Sequence, residues 1–509
     1  MRIDRVRIAW IGLALGPALA LVTGLLLPAA PAAAHDVALV QVGLSPAGRA
    51  TAAIAVWMAV WWLTEAVPLA ATALLPVVLF PLLDIADIGA ATAPYANPLI
   101  FLFLGGFLLG LAVQRFGLHR RIALLILLRV GTSPRALIGG FMLASALLSM
   151  WISNTATAIM MLPIGVSVLR LLDEQQPAAG ELAVGGAGGV QTTAFGTALV
   201  LGIAYACSIG GTGTLVGTPP NLVLAAFVRD HYGIDLGMAR WLGIGLPLVI
   251  VLLPLTWWYL TRIAFRVPKT PIACGRAVLA DALARLGPMD RGERVVLTVF
   301  ALTALGWLLR PQLVAWTGLQ GLTDAGIAML AALILFVIPV DRGPEATVHQ
   351  RRALDWETAK AVPWEILILF GGGLSLAAAI AANGVDAFIA AGFSGLAGLP
   401  PWVLVLAVAA VVVLLTEITS NTAVTTTLMP VLAATAAATG APPGMLLTAA
   451  ALAASCAFML PVATPPNAIV FASGQVSIPQ MARAGLGLNL LAIVVITAIV
   501  SLGGRLFLG

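Results

Sequence analysis

The most regular feature of the sequence is a succession of long apolar runs from end to end. Each run is close to the roughly 20 residues that cross a bilayer as an α-helix. The alternation of apolar and polar residues that is typical of a β-barrel is not visible. Because backbone groups in lipid must bond to one another, the pattern predicts an all-α polytopic membrane protein. We expect about eleven transmembrane helices, two re-entrant hairpins and two broken helices.

A polar triplet interrupts two of these runs. "LLSMWISNTATAIMMLP" contains Ser153–Thr155, and "LLTEITSNTAVTTTLMP" contains Ser420–Thr422, 267 residues later. Glycines recur with the same separation: Gly105, Gly106 and Gly117 return as Gly372, Gly373 and Gly384. A "TPPN" motif at Thr218–Asn221 also returns, at Thr464–Asn467. Two motifs in one register indicate an internal duplication.

Each triplet lies halfway along a segment that we expect to form a re-entrant hairpin, at 134–172 and at about 400–438. Glycine and proline interrupt two further segments, at about 191–228 and about 443–472. Glycine loosens a helix and proline removes an amide donor, so each segment predicts two half-helices around an unwound stretch. Irregular backbone survives in a membrane only when it is buried in protein or lines a wet cavity. The tips should therefore meet near the middle of the bilayer.

Charge distribution predicts the orientation. Charged residues are 9% of the chain against 61% hydrophobic residues, and the formal net charge of +5 gives no reason to expect a nucleic-acid partner. The loops at 115–135, 262–294 and 342–360 are basic, and a single side of the membrane would hold 21 of the 26 Lys and Arg residues. The positive-inside rule makes that side cytoplasmic. The N-terminus is then inside, the C-terminus is outside, and the two halves form inverted repeats, a pattern typical of secondary transporters.

These patterns predict a division into N-terminal scaffold helices at 1–95, a first repeat at 96–261, a basic cytoplasmic loop at 262–294 and a second repeat at 295–509. The first apolar segment has a basic start and small residues near Ala32–Ala34, like a cleaved signal peptide. Its apolar stretch of about 20 residues is longer than a signal core and favours a retained helix.

Residues that would support other chemistries are few. Three cysteines match no zinc or disulfide spacing and suit the role of small apolar fillers: Cys207, Cys274 and Cys456. All four histidines fall in predicted loops: His35, His119, His231 and His349. We therefore expect no transition metal, no cofactor and no histidine relay within the membrane. An intramembrane enzyme would need a nucleophile–base pair or a metal cluster, so the sequence favours a transporter.

The triplets and the broken helices together supply oxygen ligands for sodium, a hard cation. A first candidate site combines side chains around one tip with carbonyls of the first break: Ser149, Ser153, Asn154, Gly210 and Gly211. A second repeats that arrangement: Thr416, Thr419, Asn421 and Ala463. The amides of Asn154 and Asn421 and the hydroxyls of Thr155 and Thr422 can also donate to a carboxylate. Because neither tip is near a Lys or Arg, a bound dianion would depend on sodium for charge compensation.

Several alternatives remain open. Ser and Thr are common contacts between membrane helices, and a single triplet would have that role more often than not. Glu417, three residues before a tip, could carry a proton, could hydrogen-bond the tip or could strengthen the field on a cation. Glu65 and Glu365 lie near segment ends, where structural roles are expected.

The chain resembles the divalent anion:sodium symporter family over nearly its whole length. The resemblance rests on "WWLTEAVPLAATALLPVVLFPLL" at Trp61–Leu83, both triplets, "SIGGTGTLVGTPPN" at Ser208–Asn221 and the second "TPPN". It implies a bacterial-type sodium/dicarboxylate cotransporter in the cell membrane, a homodimer, and a transport domain that moves like an elevator against a scaffold. Its implied substrate is a C4-dicarboxylate such as succinate, malate or fumarate, with citrate, sulfate or tartrate and proton coupling or exchange as alternatives.

Carried over residue by residue, the resemblance assigns the same two sodium sites. It also assigns substrate contacts, which fall on Asn154, Thr155, Asn421, Thr422 and Pro465. The chain departs from the family pattern in a longer Ala- and Gly-rich stretch at 173–191, which is expected to be a surface loop.

Overall fold

A computed structural model describes residues 2–29, 43–131, 133–174, 194–268, 275–340 and 352–507. Within these ranges the chain is helical and contains no β-sheet, only two isolated bridges, Ala29 with Leu44 and Pro339 with Arg352. This confirms the all-α prediction. His35, His349, Cys274 and most of the 173–191 stretch lie outside the described residues.

Within the ranges given above, eight helices are long and apolar enough to cross a membrane. They are Arg7–Leu26, Ile88–Arg115, Ala194–Gly211, Met238–Ala264, Arg291–Thr317, Trp364–Ala382, Asn421–Thr439 and Ile478–Gly503. Six shorter apolar helices accompany them in the described residues, and four of these belong to the candidate hairpins and the second broken helix. The protein is therefore a polytopic membrane protein.

The described part of the first half contains twelve helices. Before the first triplet these are α1 (Arg2–Leu26), α2 (Pro46–Thr64), α3 (Leu69–Thr72), α4 (Leu75–Leu82), α5 (Ile88–Thr92), α6 (Pro98–Arg115), α7 (Leu118–Val130) and α8 (Pro134–Ser149). After it come α9 (Asn154–Glu174), α10 (Ala194–Gly211), α11 (Pro219–Tyr232) and α12 (Met238–Trp258), which continues as a π-helical turn at Tyr259–Ala264. A 3₁₀ turn at Ala93–Ala96 joins α5 to α6.

The second half contributes eleven helices among its described residues. They are α13 (Gly275–Arg285), α14 (Arg291–Thr317), α15 (Asp324–Val337), α16 (Trp356–Ala359), α17 (Trp364–Ala382), α18 (Val385–Gly392), α19 (Pro401–Thr416), α20 (Asn421–Thr439), α21 (Pro443–Ala454), α22 (Pro465–Ala472) and α23 (Ile478–Phe507). A further 3₁₀ turn lies at Ser394–Leu396.

Both triplets lie where one helix stops and the next begins. The break between α8 and α9 ends at Ser153, whose hydroxyl accepts a hydrogen bond from the N–H of Ala156 at 3.3 Å. The break between α19 and α20 ends at Ser420, which accepts from Ala423 N–H at 3.4 Å. A serine that caps a helix N-terminus satisfies one of its unpaired amides. Each asparagine is therefore the first residue of a helix, with its side chain at the tip.

The two "TPPN" motifs begin the second half of each broken helix. The chain is unwound between α10 and α11 and again between α21 and α22. Proline at the first helical position loses no intrahelical bond and has the right φ, so the motif is a helix start. Thr464 completes the second start by accepting from Asn467 N–H at 3.3 Å.

The broken helices occupy the centre of the fold. Almost every side chain of α10 and of α21 is buried, and α10 packs on α8 while α21 packs on α19 and α20. The halves also contact each other crosswise: α11 packs on α20, and α22 packs on α9. Gly210 permits the close approach of α10 to α8, because a Cβ there would lie 2.3 Å from the carbonyl oxygen of Ala146. This packing brings both breaks toward both tips.

Each of the three predicted basic loops contains a helix, and in the third it is the short α16. α7 lies in the first loop and α13 in the second. Both are amphipathic helices, and their arginines led to the prediction of loops. The prediction that every histidine lies in a loop is therefore wrong for His119, which is buried in α7, and for His231 in the last turn of α11. Burial lowers the pKa of His119, whose Nδ1 lies 3.2 Å from the carbonyl oxygen of Val113.

Candidate functional site

One large cavity, about 900 Å³ in volume, lies where the tips and the breaks converge. Its walls come from the first residues of four helices, from the unwound stretches before them and from the ends of α2 and α17. The residues at the four helix starts that line it are Ser153, Asn154, Thr155, Pro219, Pro220, Ser420, Asn421, Thr422, Pro465 and Pro466. All five predicted substrate contacts line this cavity.

The electrostatics of the cavity come from backbone rather than from basic side chains. Among the described residues that line it, none is Lys, Arg or His. The N-termini of α9, α11, α20 and α22 face it, and each carries a partial positive charge. α11 and α22 begin with two prolines, which have no N–H, so backbone donors come from the first residues of the two tips, Asn154, Thr155, Asn421 and Thr422. Such termini are suited to bind anions. The cavity therefore offers a dianion several donors but no full positive charge.

The residues predicted for the first sodium site lie together. The hydroxyl of Ser149 is 2.5 Å from Asn154 Oδ1 and 2.8 Å from the carbonyl oxygen of Cys207 in α10. Gly211 lies against the same asparagine, since a Cβ there would be 2.5 Å from Oδ1. Ser149 is fully buried behind the cavity wall, whereas Asn154 reaches the cavity. The structure thus brings tip oxygens and backbone of the first break into one cluster.

The residues predicted for the second sodium site are distributed similarly. Thr419, Asn421 and Ala463 line the cavity, and Thr416 is fully buried behind it. The hydroxyl of Thr416 donates to Val412 at 2.9 Å and that of Thr419 to Leu415 at 2.6 Å, so each oxygen keeps lone pairs for a cation. Asn421 Oδ1 is buried and makes no hydrogen bond to the described residues. Because Asn421 lines the cavity, this oxygen is available to a ligand there.

Two acids that the sequence assigns to structural roles also line the cavity. Glu65 is the C-cap of α2, in the left-handed region with φ 49°, and Glu365 is in the first turn of α17. Both lie at helix ends, as expected, and both are exposed. The one sequence signal is an acid within three residues of a proline in an apolar segment, and this signal does not reveal which cavity the acid faces.

Glu417 contacts the second break instead of the tip beside it. Its Oε1 accepts the N–H groups of Phe458 and Met459 at 2.8 and 2.9 Å, and its Oε2 accepts that of Leu460 at 2.9 Å. The side-chain amide of Asn489 donates to Oε1 at 2.7 Å. Four donors thus hold a carboxylate that is 4% exposed. With three donors on Oε1 and one on Oε2, the geometry fits a carboxylate that holds the second break in place.

With this geometry established, comparison with known proteins is informative. The family model of the sodium:sulfate symporter transmembrane region matches residues 24–508. The chain belongs to this family. The match confirms the resemblance to divalent anion:sodium symporters, and it makes the protein a membrane transporter rather than an enzyme.

Relatives within this symporter family are similar over most of their length. A sodium-dependent dicarboxylate transporter of Staphylococcus saprophyticus is 42% identical over 491 residues, which cover 96% of this chain and 90% of that protein. A transporter of the same name from Staphylococcus aureus strain USA300 is 41% identical over 449 residues, covering 88% and 84%.

A solved structure resembles this symporter in fold. The crystal structure of the Alcanivorax borkumensis YdaH transporter, described as having an unusual topology, superposes with a TM-score of 0.58 over 99% of this chain and 98% of that chain. The two sequences are only 14% identical, so the likeness concerns the fold alone.

Proposed function

We propose that this symporter couples sodium to the transport of a divalent anion, a C4-dicarboxylate such as succinate, malate or fumarate. The observation that carries the proposal is the shared cavity of Asn154 and Asn421, which provides donors from both tips without a basic side chain. Two relatives more than 40% identical are named sodium-dependent dicarboxylate transporters, which supports this substrate class.

Magnitudes indicate why sodium is needed. Removing an anion from water costs several kcal/mol per charge, even after the protein relaxes. A helix N-terminus stabilises a nearby anion by only about 0.3–2 kcal/mol. Glu65 and Glu365 add negative charge to the same cavity. A dianion is therefore poorly compensated until cations occupy sites beside it, and this dependence is the coupling.

The sodium ions are assigned to the two clusters at the tips. The first comprises Ser149, Ser153, Asn154 and the carbonyls of Gly210 and Gly211. The second comprises Thr416, Thr419, Asn421 and the carbonyl of Ala463. Asn154 and Asn421 are shared with the substrate, whose other contacts are Thr155, Thr422 and Pro465. A side chain shared between ion and anion makes binding of one sensitive to the other.

The proposed setting is the cell membrane, with the N-terminus cytoplasmic and the C-terminus outside. The cavity is lined by Glu65, Glu365 and Ile478, at the ends of α2, α17 and α23. In this orientation all three ends lie on the cytoplasmic side, so the described conformation is inward-facing. A homodimer with an elevator-like transport domain would carry the site to the other side.

Uptake of labelled succinate into proteoliposomes tests this function. Replacement of external sodium by choline should abolish concentrative uptake, and Asn154→Ala or Asn421→Ala should each reduce it to the background of empty liposomes. Asn383→Ala is the matched control, since Asn383 donates to Ala379 at the end of α17 and does not line the cavity.

Four outcomes would contradict the proposal or a part of it. Uptake that is equal in choline would indicate sodium-independent exchange, and uptake driven by a proton gradient without sodium would indicate proton coupling. Full activity of either tip variant would contradict the site. Competition by citrate, sulfate or tartrate that exceeds competition by fumarate would reassign the substrate.

A further inference from the structure

The asparagines that end the two "TPPN" motifs make the same pair of contacts. The amide nitrogen of Asn221 donates to the carbonyl oxygens of Gly211 at 3.1 Å and Thr214 at 2.7 Å. That of Asn467 donates to Ala457 at 3.3 Å and Leu460 at 3.1 Å. In both cases the acceptors lie ten and seven residues before the asparagine. Each amide therefore ties the unwound stretch to the half-helix that follows it.

The correspondence extends to the backbone. The N–H of Gly217 also reaches the carbonyl oxygen of Thr214, at 3.4 Å, and the N–H of Ala463 reaches that of Leu460 at 3.1 Å. Gly217 packs so tightly that a Cβ would lie 2.3 Å from the carbonyl oxygen of Gly211. Both breaks thus share one hydrogen-bonding pattern, and in each the asparagine side chain completes it. Packing alone would not reproduce the same acceptors in two different sequences.

These two asparagines lie outside the cavity. Both are 0% exposed, and neither is among the residues that line it. One of these acceptors, the carbonyl of Gly211, is itself assigned to the first sodium site, beside that of Gly210. In the second break the assigned carbonyl is that of Ala463, whose own N–H bonds to the acceptor Leu460. Carbonyls freed from a helix would otherwise be unpaired and repel one another. The amide fixes two of them and so limits where the neighbouring carbonyls can lie.

We propose that Asn221 and Asn467 are positioning residues that set the geometry of the first and the second sodium site, respectively, without touching ion or substrate. The proposal rests on the sodium coupling proposed above. Groups one shell outside a metal typically change its affinity by about 10–100-fold when mutated. The role is specific to sodium, because the clamped backbone supplies cation ligands and the dianion is bound by helix starts.

The substitution that tests the proposal follows from the bonding. The Oδ1 atoms of Asn221 and Asn467 make no hydrogen bond to the described residues, so each side chain bonds through its nitrogen alone. Asn221→Asp and Asn467→Asp keep the shape but place an oxygen against two carbonyl oxygens. Asn221→Ser and Asn467→Ser are milder variants that keep one donor. Asn383→Asp controls for the added charge.

Sodium dependence of succinate uptake should be measured for each purified variant in proteoliposomes. We expect half-saturating sodium to rise by about tenfold or more in the Asp variants and by less in the Ser variants. The maximal rate and the KM for succinate at saturating sodium should stay within about threefold of the wild type, since the clamp acts on sodium affinity. Asn383→Asp should match the wild type.

Other outcomes would overturn the proposal. If half-saturating sodium is unchanged in the folded Asp or Ser variants, the clamp does not set the sodium sites. If the maximal rate falls while half-saturating sodium is unchanged, the asparagines have a structural role only. Uptake by the wild type that ignores sodium would refute the proposed function itself, and that result is separable because it precedes any substitution.

Discussion

Glu417 shows how single residues shape the candidate site. Its carboxylate receives the three consecutive N–H groups of Phe458–Leu460 and the amide of Asn489. A buried acid without a basic partner is tolerated only when such donors replace its water. These N–H groups belong to the break that also carries Ala463. The carboxylate therefore fixes the backbone around the proposed second sodium site and adds negative charge behind it.

Glu417→Gln should weaken sodium-dependent uptake strongly. The amide leaves one oxygen for four donors and points its own N–H group at another, and each unsatisfied buried group costs about 1–3 kcal/mol. We expect half-saturating sodium to rise by about tenfold or more and thermal stability to fall. Both are measured on purified protein, by uptake in proteoliposomes and by thermal unfolding in detergent.

Glu357→Gln is the matched control for that variant. Glu357 is an exposed acid whose carboxylate pairs with Lys360 at 2.6 Å, so uptake should stay within about twofold of the wild type. The account of Glu417 would be contradicted by uptake that a proton gradient drives in sodium-free buffer and that Glu417→Gln abolishes. That pattern is expected of a proton carrier.

The two polar tips are predictable from the sequence because their signal is local. Asn154 and Asn421 each interrupt an apolar run, and their repetition in one register is visible without coordinates. Glu65 and Glu365 could not be placed in the cavity in the same way, because which surface a helix end faces depends on packing between distant elements. The partner of Glu417 was also out of reach, since it is a stretch of backbone 41–43 residues away.

The two hairpins differ in what their tips contact. In the first break, Trp151 stacks on Trp307 of α14 at a ring separation of 6.1 Å and meets Phe300 edge-on at 5.2 Å. The corresponding position in the second break, 267 residues later, is Ile418, whose side chain is 63% exposed. If the proposed transport follows an alternating-access cycle, the two equivalent tips should have different neighbours in any one conformation of that cycle. We infer that the contact of Trp151 with α14 is one that the cycle breaks.

A cross-link at this contact tests whether the hairpin moves. Cysteines at Trp151 and Phe300, in a background where the three native cysteines are replaced by alanine, should react with a short bifunctional thiol reagent. Cross-linking should abolish succinate uptake, because the tip could no longer leave α14. Each single-cysteine variant under the same treatment is the control. Cross-linked protein that transports at the unmodified rate would show that tip and α14 move as one body.

The helix boundaries are predictable where serine or proline begins a helix, and two helices were missed because they are rich in arginine. Serine caps and the Pro-Pro of both "TPPN" motifs determine helix starts locally, so the breaks were expected at the right places. By contrast, α7 and α13 carry several arginines on amphipathic helices at the ends of apolar segments, and composition alone gave loops. Their helicity depends on packing, as when Arg121 of α7 pairs with Glu293 of α14 at 2.7 Å.

At the scale of the whole molecule, the fold unites two copies of one unit around a single cavity. The tips are related by one separation and the "TPPN" breaks by a shorter one, yet α11 packs on α20 and α22 packs on α9. Because of this crosswise packing, helices of each unit form part of the wall around the tip of the other unit. Four helix starts then face one space that neither unit would enclose alone. The proposed anion site therefore requires both units.

The central claim is that sodium ions take the place of basic side chains in this cavity. Equilibrium binding of labelled succinate to purified protein, titrated with sodium at constant ionic strength, tests it most directly. The account predicts that affinity rises steeply and cooperatively with sodium and is lost when choline replaces it. Succinate that binds with the same affinity in choline would contradict the account.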